Sequence, residues 1–243
     1  MTKFLFVLCM TLTLFNQRSG YCQTDSIPTK KDNFLKKSIV PLSLIGAGIY
    51  VNYAGGSLGK VSLQNHIQNG LNFNTRAEDF IQFTPLAILA AADAIGLKTK
   101  NNLKTQAKNV VIITATNYVL VKSFKLITNE TRPNGSKNSF PSGHTSNAFA
   151  LAGILHHELK NSSPILSYSG YVLATTTGAF RVLNNKHWVS DVLVGAGVGM
   201  LTTDVFYKIQ DHQTTLKKGR KTTAIFVPSF REKSVGFTGI INF

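Results

Sequence analysis

Of 243 residues, 26 are Lys or Arg and 11 are Asp or Glu, a formal net charge of +15, yet charged residues make up only 15% of the chain and apolar ones 43%. Soluble domains carry roughly 25% charge; this composition excludes a disordered polar chain and leaves ample apolar area for a core. Both cysteines, Cys9 and Cys22, stand near the N-terminus, so the body of the chain offers no disulfide framework, no thiolate zinc site and no cysteine nucleophile.

Met1 to Cys22 reads as a secretory signal: Lys3, an apolar run from Phe4 to Phe15, then Gly20 and Cys22 ahead of Gln23. The run is short for a bilayer span, so a cleaved signal is the leading reading and an uncleaved anchor the second. Lipoprotein processing at Cys22 is disfavoured by the bulk of Tyr21. A polar segment, residues 23–37, follows. Apolar stretches at residues 39–54, 81–97, 110–124, 142–159, 165–180 and 188–207 read as helices, with one short amphipathic helix expected within residues 55–80. Pro41, Gly46 and Gly48 interrupt the first, a lone Asp93 in the second predicts an interhelical hydrogen bond, and Gly195, Gly197 and Gly199 in the last signal close packing. None reaches the ~20 unbroken apolar residues of an isolated spanning helix. The expectation is therefore an all-α bundle of about six helices, embedded in a membrane or resting on one, over residues 38–210. Residues 211–243 form a basic tail whose alternation after Thr222, broken by Pro228 and Gly236, suggests a hairpin or an extended cover.

The basic residues punctuate the apolar stretches: Lys30, Lys31, Lys36 and Lys37; Lys98, Lys100, Lys104 and Lys108; Lys208, Lys217, Lys218, Arg220 and Lys221. A nucleic-acid binder more often carries a basic stripe interleaved with aromatics, so the partner expected is a lipid membrane and not nucleic acid.

Three clusters place charged or nucleophilic groups where an apolar protein has no use for them. Lys125 and Arg132-Pro133 close the third apolar stretch, and ammonium and guanidinium together suit the oxygens of a phosphate. In Pro141-Ser142-Gly143-His144 a tight turn leads into a helix N-terminus, an anion site with a histidine facing it. Last come Arg181, His187 and Asp191. On a helix His187 and Asp191 would share a face, and a carboxylate on one imidazole nitrogen leaves the other free as nucleophile or base. Each cluster has a bland reading, as helix-end charge, a cap beside a surface histidine, or a self-satisfied buried pair. The three bland readings combine poorly in one chain. His156 and His157 are read as loop-side surface residues, and His66 and His212 have no partner motif.

Together the clusters resemble the signature of the type 2 phosphatidic acid phosphatases (PAP2), membrane relatives of bacterial class A acid phosphatases and vanadium haloperoxidases. Every spacing matches: Lys125, six residues, Arg132-Pro133; Pro141 to His144; Arg181, five residues, His187, three residues, Asp191. The one departure is Phe180, where the family often has Ser. The resemblance implies that Lys125, Arg132, Arg181, Ser142 and the Gly143 N–H bind the phosphoryl oxygens. It further implies that His187, polarised by Asp191, forms a phosphohistidine and that His144 serves as acid and then base, with no metal and no cofactor. The implied substrate is an amphiphile bearing a phosphate or diphosphate, such as undecaprenyl diphosphate, phosphatidate, phosphatidylglycerophosphate or lipid A. Two alternatives stand beside it: a vanadate-dependent haloperoxidase on the same scaffold, and a non-catalytic protein that binds anionic lipid.

Six crossings with the Lys clusters inside put the site in the periplasm of a bacterial envelope. A cleaved signal followed by six crossings would turn it inward. Either the leading segment is not processed or the bundle makes fewer full crossings; both keep the site periplasmic.

Overall fold

The computed structural model describes residues 34–70, 73–219, 223–231 and 234–242. The signal-like segment with both cysteines, Lys30 and Lys31, and the Arg220 and Lys221 end of the last basic cluster lie outside the described residues. Among these residues there are eight α-helices: α1 (Phe34–Tyr53), α2 (Lys60–Gln68), α3 (Glu78–Ile81), α4 (Thr84–Ala94), α5 (Leu103–Thr128), α6 (Gly143–Leu159), α7 (Pro164–Leu183) and α8 (Val189–Gly219). The all-α expectation holds for the bundle, with more and longer helices than the apolar runs suggest. The chain divides into two units, residues 1–204 and 205–243.

In the first unit α6 is central, lined on one side by α7 and flanked by α4 and α5. Its small and aliphatic residues Ala148, Ala150, Ala152, Leu155 and Leu159 are fully buried. The glycines of α8 allow close approach of backbones. An added Cβ at Gly195 would stand 2.7 Å from the carbonyl oxygen of Ser142, the residue that caps α6, and one at Gly199 would run into that of Ser146 on α6. Gly197 points the other way, where a Cβ would come within 2.5 Å of the Pro41 carbonyl oxygen on α1. The helix therefore wedges between α6 and α1, which sets Asp191 beside the start of α6.

The helix α5 is longer at both ends than its apolar run. Asn102 caps it, its side chain accepting from the Thr105 N–H, and Asn129 ends it in the left-handed conformation, φ 45°. Its 26 residues rise about 39 Å, enough to cross a hydrocarbon core of ~30 Å. With Val189–Thr214 it is long and apolar enough to span, and only 17% of its apolar window is buried. Val111, Tyr118, Val119 and Leu126 of α5 and Ile39, Leu42, Tyr50 and Tyr53 of α1 are exposed. Apolar surface on that scale marks a membrane-associated protein.

Asp93 makes the interhelical bond foreseen for it, its Oδ1 accepting from the Gln106 amide of α5 at 3.2 Å and from Thr99 at 3.3 Å. His156 and His157 overturn the surface reading. The His157 ring bonds Asp204 at 2.8 Å with 11% of its side chain exposed, and the His156 ring stacks against Tyr168 at 4.8 Å. Two helices pack where the run alone suggested a loop side. His66 and His212 are exposed.

The second unit, residues 205–243, contains the last part of α8 and an antiparallel hairpin of β1 (Thr223–Arg231) and β2 (Ser234–Asn242), paired from Thr223↔Asn242 to Arg231↔Ser234.

Candidate active site

Six segments deliver the charged residues to one end of the bundle. The last turn of α5 carries Lys125, whose ammonium donates to the carbonyls of Asn138 at 2.6 Å and Ser139 at 2.9 Å and so ties the connecting loop down. That loop holds Arg132, its N–H bonded to the Ser136 carbonyl at 2.7 Å. At the start of α6, Ser142 is the N-cap; its hydroxyl accepts from the Thr145 N–H, leaving the N–H groups of Gly143 and His144 without intrahelical partners. Arg181 stands in the last turn of α7, and its carbonyl accepts the N–H of His187 across the turn at 3.2 Å.

His187 lies in the loop before α8, not on the helix as its spacing from Asp191 suggests. The pair forms nonetheless, His187 Nδ1 to Asp191 Oδ2 at 3.0 Å, because Asp191 reaches back as a capping residue and also accepts the Trp188 N–H at 3.0 Å. The Ser139 hydroxyl bonds the same oxygen. The Ser142 N–H donates to the Asp191 carbonyl at 3.0 Å, so the third cluster is stitched directly to the second. His187 and Asp191 are 1% and 0% exposed. With Nδ1–H committed to the carboxylate, Nε2 presents its lone pair and makes no hydrogen bond to any described residue.

Two guanidinium groups at the same end of the bundle keep one N–H each unspent. The Nε atoms of Arg132 and Arg181 are both buried and unbonded. A buried guanidinium N–H without an acceptor is costly unless an anion completes it.

A profile of the PAP2 superfamily matches residues 106–214. That stretch, 109 of the 243 residues, resembles the PAP2 superfamily. Over 146 residues it is 38% identical to the lipid A 1-phosphatase of Porphyromonas gingivalis, a match taking in 58% of this chain and 32% of that protein; the chain spans about a third of the length of this curated relative. Among solved structures, the transmembrane PAP2-type phosphatidylglycerolphosphate phosphatase of Bacillus subtilis superposes with a TM-score of 0.54 at 20% identity, covering 71% of this chain and 96% of that one. At that identity the likeness is one of fold. The LpxE of Aquifex aeolicus gives a TM-score of 0.48 at 22% identity over 61% of this chain and 94% of its own.

Within the matched stretch, burial holds the His187 imidazole down to a pKa of about 4; the Asp191 carboxylate opposes that, while Lys125 and Arg181 add to it. The ring is therefore neutral at pH 7 and its Nε2 lone pair available. Burial and then the Arg181 charge also lower His144, against the Asp79 and Glu78 carboxylates. Phe180, at the family's frequent Ser position, packs its ring on Phe73 at 5.3 Å.

Several residues of the site escaped the sequence reading. Glu78 on α3 is fully buried and accepts from Arg181 at 3.4 Å, Lys186 at 3.0 Å and Asn184 at 2.7 Å. Asp79 bonds His144 Nε2 at 2.9 Å. Lys60, on α2, sits 5.7 Å over the Trp188 ring and pairs with Glu130. One signal existed: Glu78 and Asp79 are the only adjacent acids among the 11 in the chain.

Proposed function

We propose that the chain is a metal-independent phosphatase acting on a phosphate or diphosphate ester of a membrane lipid. His187 Nε2 attacks phosphorus in line, a P–N bond forms, and the bond to the leaving oxygen breaks. His144 gives its proton to that oxygen. Water then attacks the phosphohistidine, His144 takes a proton from it, and inorganic phosphate departs as His187 is restored. Lys125, Arg132 and Arg181, with the Ser142 hydroxyl and the Gly143 N–H, hold the non-bridging oxygens and the charge that grows on them. Asp191 keeps Nδ1–H of His187 and balances the positive charge it acquires. Residues 38–210 form the catalytic domain.

The observation that supports this most is the neutral, carboxylate-held His187 at the same end of the bundle as Arg132 and Arg181, whose Nε atoms are buried and unbonded. A structural core has no use for such donors. Three cations already meet the charge of a phosphoryl group, the work a metal ion does elsewhere. The lipid part of the proposal draws on the exposed apolar faces of α1 and α5 and on the relatives, which act as a lipid A 1-phosphatase and a phosphatidylglycerolphosphate phosphatase.

The site faces the periplasm in this reading. Lys98 and Lys100 precede α5, Lys104 and Lys108 lie in its first two turns and Lys160 follows α6, at the ends opposite Lys125 and His144, and Lys36 lies at the start of α1. The positive-inside rule places those ends in the cytoplasm.

The test is phosphate release by purified protein in detergent with EDTA, from lipid A, phosphatidate, phosphatidylglycerophosphate and undecaprenyl diphosphate. Wild-type protein is expected to turn over at least one of them, and His187→Ala to lose at least ~1,000-fold. A His187→Ala protein as active as wild type overturns the proposal.

A further inference from the structure

Both histidines of the site are held by a carboxylate, and the two holds are opposite in kind. His187 is gripped at Nδ1 by a fully buried aspartate, whereas His144 is gripped at Nε2 by Asp79, at 2.9 Å, with a third of each side chain exposed. Asp79 comes from α3, 65 residues away in the chain, on the short segment that also supplies Glu78 to Arg181. It belongs to none of the three motifs. Its second oxygen stands 3.8 Å from Arg76, and its first is 3.9 Å from Arg181.

We propose that Asp79 is the positioning residue of the leaving-group acid, holding His144 by Nε2–H so that Nδ1–H is aimed at the departing oxygen, and that this fits the site to esters of alkyl and sugar alcohols. The inference rests on the phosphatase reading above and names which half of the reaction the pair serves. An aryl oxide or a phosphate departs without help; an alkoxide is a strong base and needs a proton as the bond to phosphorus breaks. To give that proton from Nδ1 while Nε2–H stays bonded, His144 must begin as the imidazolium. The groups facing it divide: Arg181 from α7 opposes the charge, and Asp79 and Glu78 from α3 support it. Of these only Asp79 bonds the ring. After transfer the neutral ring keeps Nε2–H on Asp79 and exposes the Nδ1 lone pair, the base that the water step requires.

The experiment compares dodecyl phosphate with p-nitrophenyl phosphate for wild type, Asp79→Asn, Asp79→Glu and His144→Gln, with melting temperatures beside each. For Asp79→Asn, kcat/KM on the alkyl ester is expected to fall about 100-fold and on the aryl ester less than about 5-fold, with the basic limb of the alkyl profile moving to lower pH. Asp79→Glu, which keeps the charge on a longer arm, is expected to recover at least tenfold of the alkyl loss. In His144→Gln the further change Asp79→Asn is expected to cost nothing on the alkyl ester, since the two act through one ring.

An equal loss on both esters with an unmoved basic limb would show Asp79 working through Arg181 or the fold, and would overturn the proposal. Full additivity in the double variant would do the same. These outcomes leave the phosphatase reading standing, whereas a wild type that releases phosphate from neither ester sinks both.

Discussion

Replacing Asp191 by Asn isolates what its charge contributes. Three donors converge on one oxygen of this side chain: His187 Nδ1–H, the Trp188 N–H and the Ser139 hydroxyl all bond Oδ2, while Oδ1 is buried and has no partner. An asparagine can set its carbonyl where Oδ2 was and keep all three bonds, with its NH2 in the place of Oδ1. The His187 tautomer then survives. In a Ser-His-Asp triad, where the amide imposes the wrong tautomer, the equivalent change costs about 10⁴ in kcat; that mechanism does not operate here. What is lost is the negative charge opposite an imidazole that turns positive as it takes the phosphoryl group. A hydrogen bond to a charged group contributes about 1.5–3 kcal/mol and a neutral one about 0.5–1.5. With the direct Coulomb term in a buried site, the barrier rises by about 1.5–3 kcal/mol, or about 10- to 150-fold in kcat. The assay is the initial rate of phosphate release from a lipid phosphate in detergent, with the acid-labile phosphoenzyme trapped in parallel. A loss below threefold would refute the role assigned to the charge, and a loss near 10⁴ would show that the amide turned its NH2 to His187 and refute the geometric argument. The NH2 left in the Oδ1 position has no acceptor, so the variant is also expected to lose about 1–3 kcal/mol of stability.

Glu78→Ala removes the acceptor shared by Arg181, Asn184 and Lys186 and leaves Arg181, 4% exposed, with only Asp79 at 3.9 Å as an ion-pair partner; the expected cost is about 1–3 kcal/mol in denaturant unfolding, and no measurable cost would contradict the burial of that pair. Gly199→Ala forces a methyl into the Ser146 carbonyl and is expected to cost about 1–3 kcal/mol, while Gly46→Ala, which meets nothing within 4 Å, should be neutral or gain up to about 1. Equal melting temperatures for the two would refute the close approach of α8 to α6. On the pH axis, His187 stays neutral down to about 4 and His144 sits below the ordinary histidine value. The attacking base is therefore lost only below pH ~4 to 5, and the acid is lost as pH rises through a value under ~6.5. A profile of kcat/KM against pH is expected to peak on the acidic side of neutrality and to fall toward pH 8; a maximum above pH 8 would contradict the assignment of His144 as acid.

The motif residues were legible because their chemistry is local. Ser142 caps the helix that its own Pro-Ser-Gly turn begins, and Asp191 reaches His187 four residues back even though His187 precedes the helix. Gly195, Gly197 and Gly199 announced a close approach, and the lone Asp93 announced a partner on another helix. His156 and His157 were misread because residue type says nothing of which side of α6 another helix covers.

By itself the amino-acid order pointed to a helical bundle of membrane-seeking composition and to three clusters spaced as in a phosphatase signature, since periodicity and motif spacing act within a few helical turns. Only the tertiary structure decided that Glu78 and Asp79 belong to the site. No periodicity links a short polar helix to side chains that lie 65 and more residues further along the chain. Burial is the reason the distinction matters: in the folded bundle water scarcely screens Arg181 and hydrates His144 only in part, so the carboxylates that α3 brings to them become the groups that balance their charge.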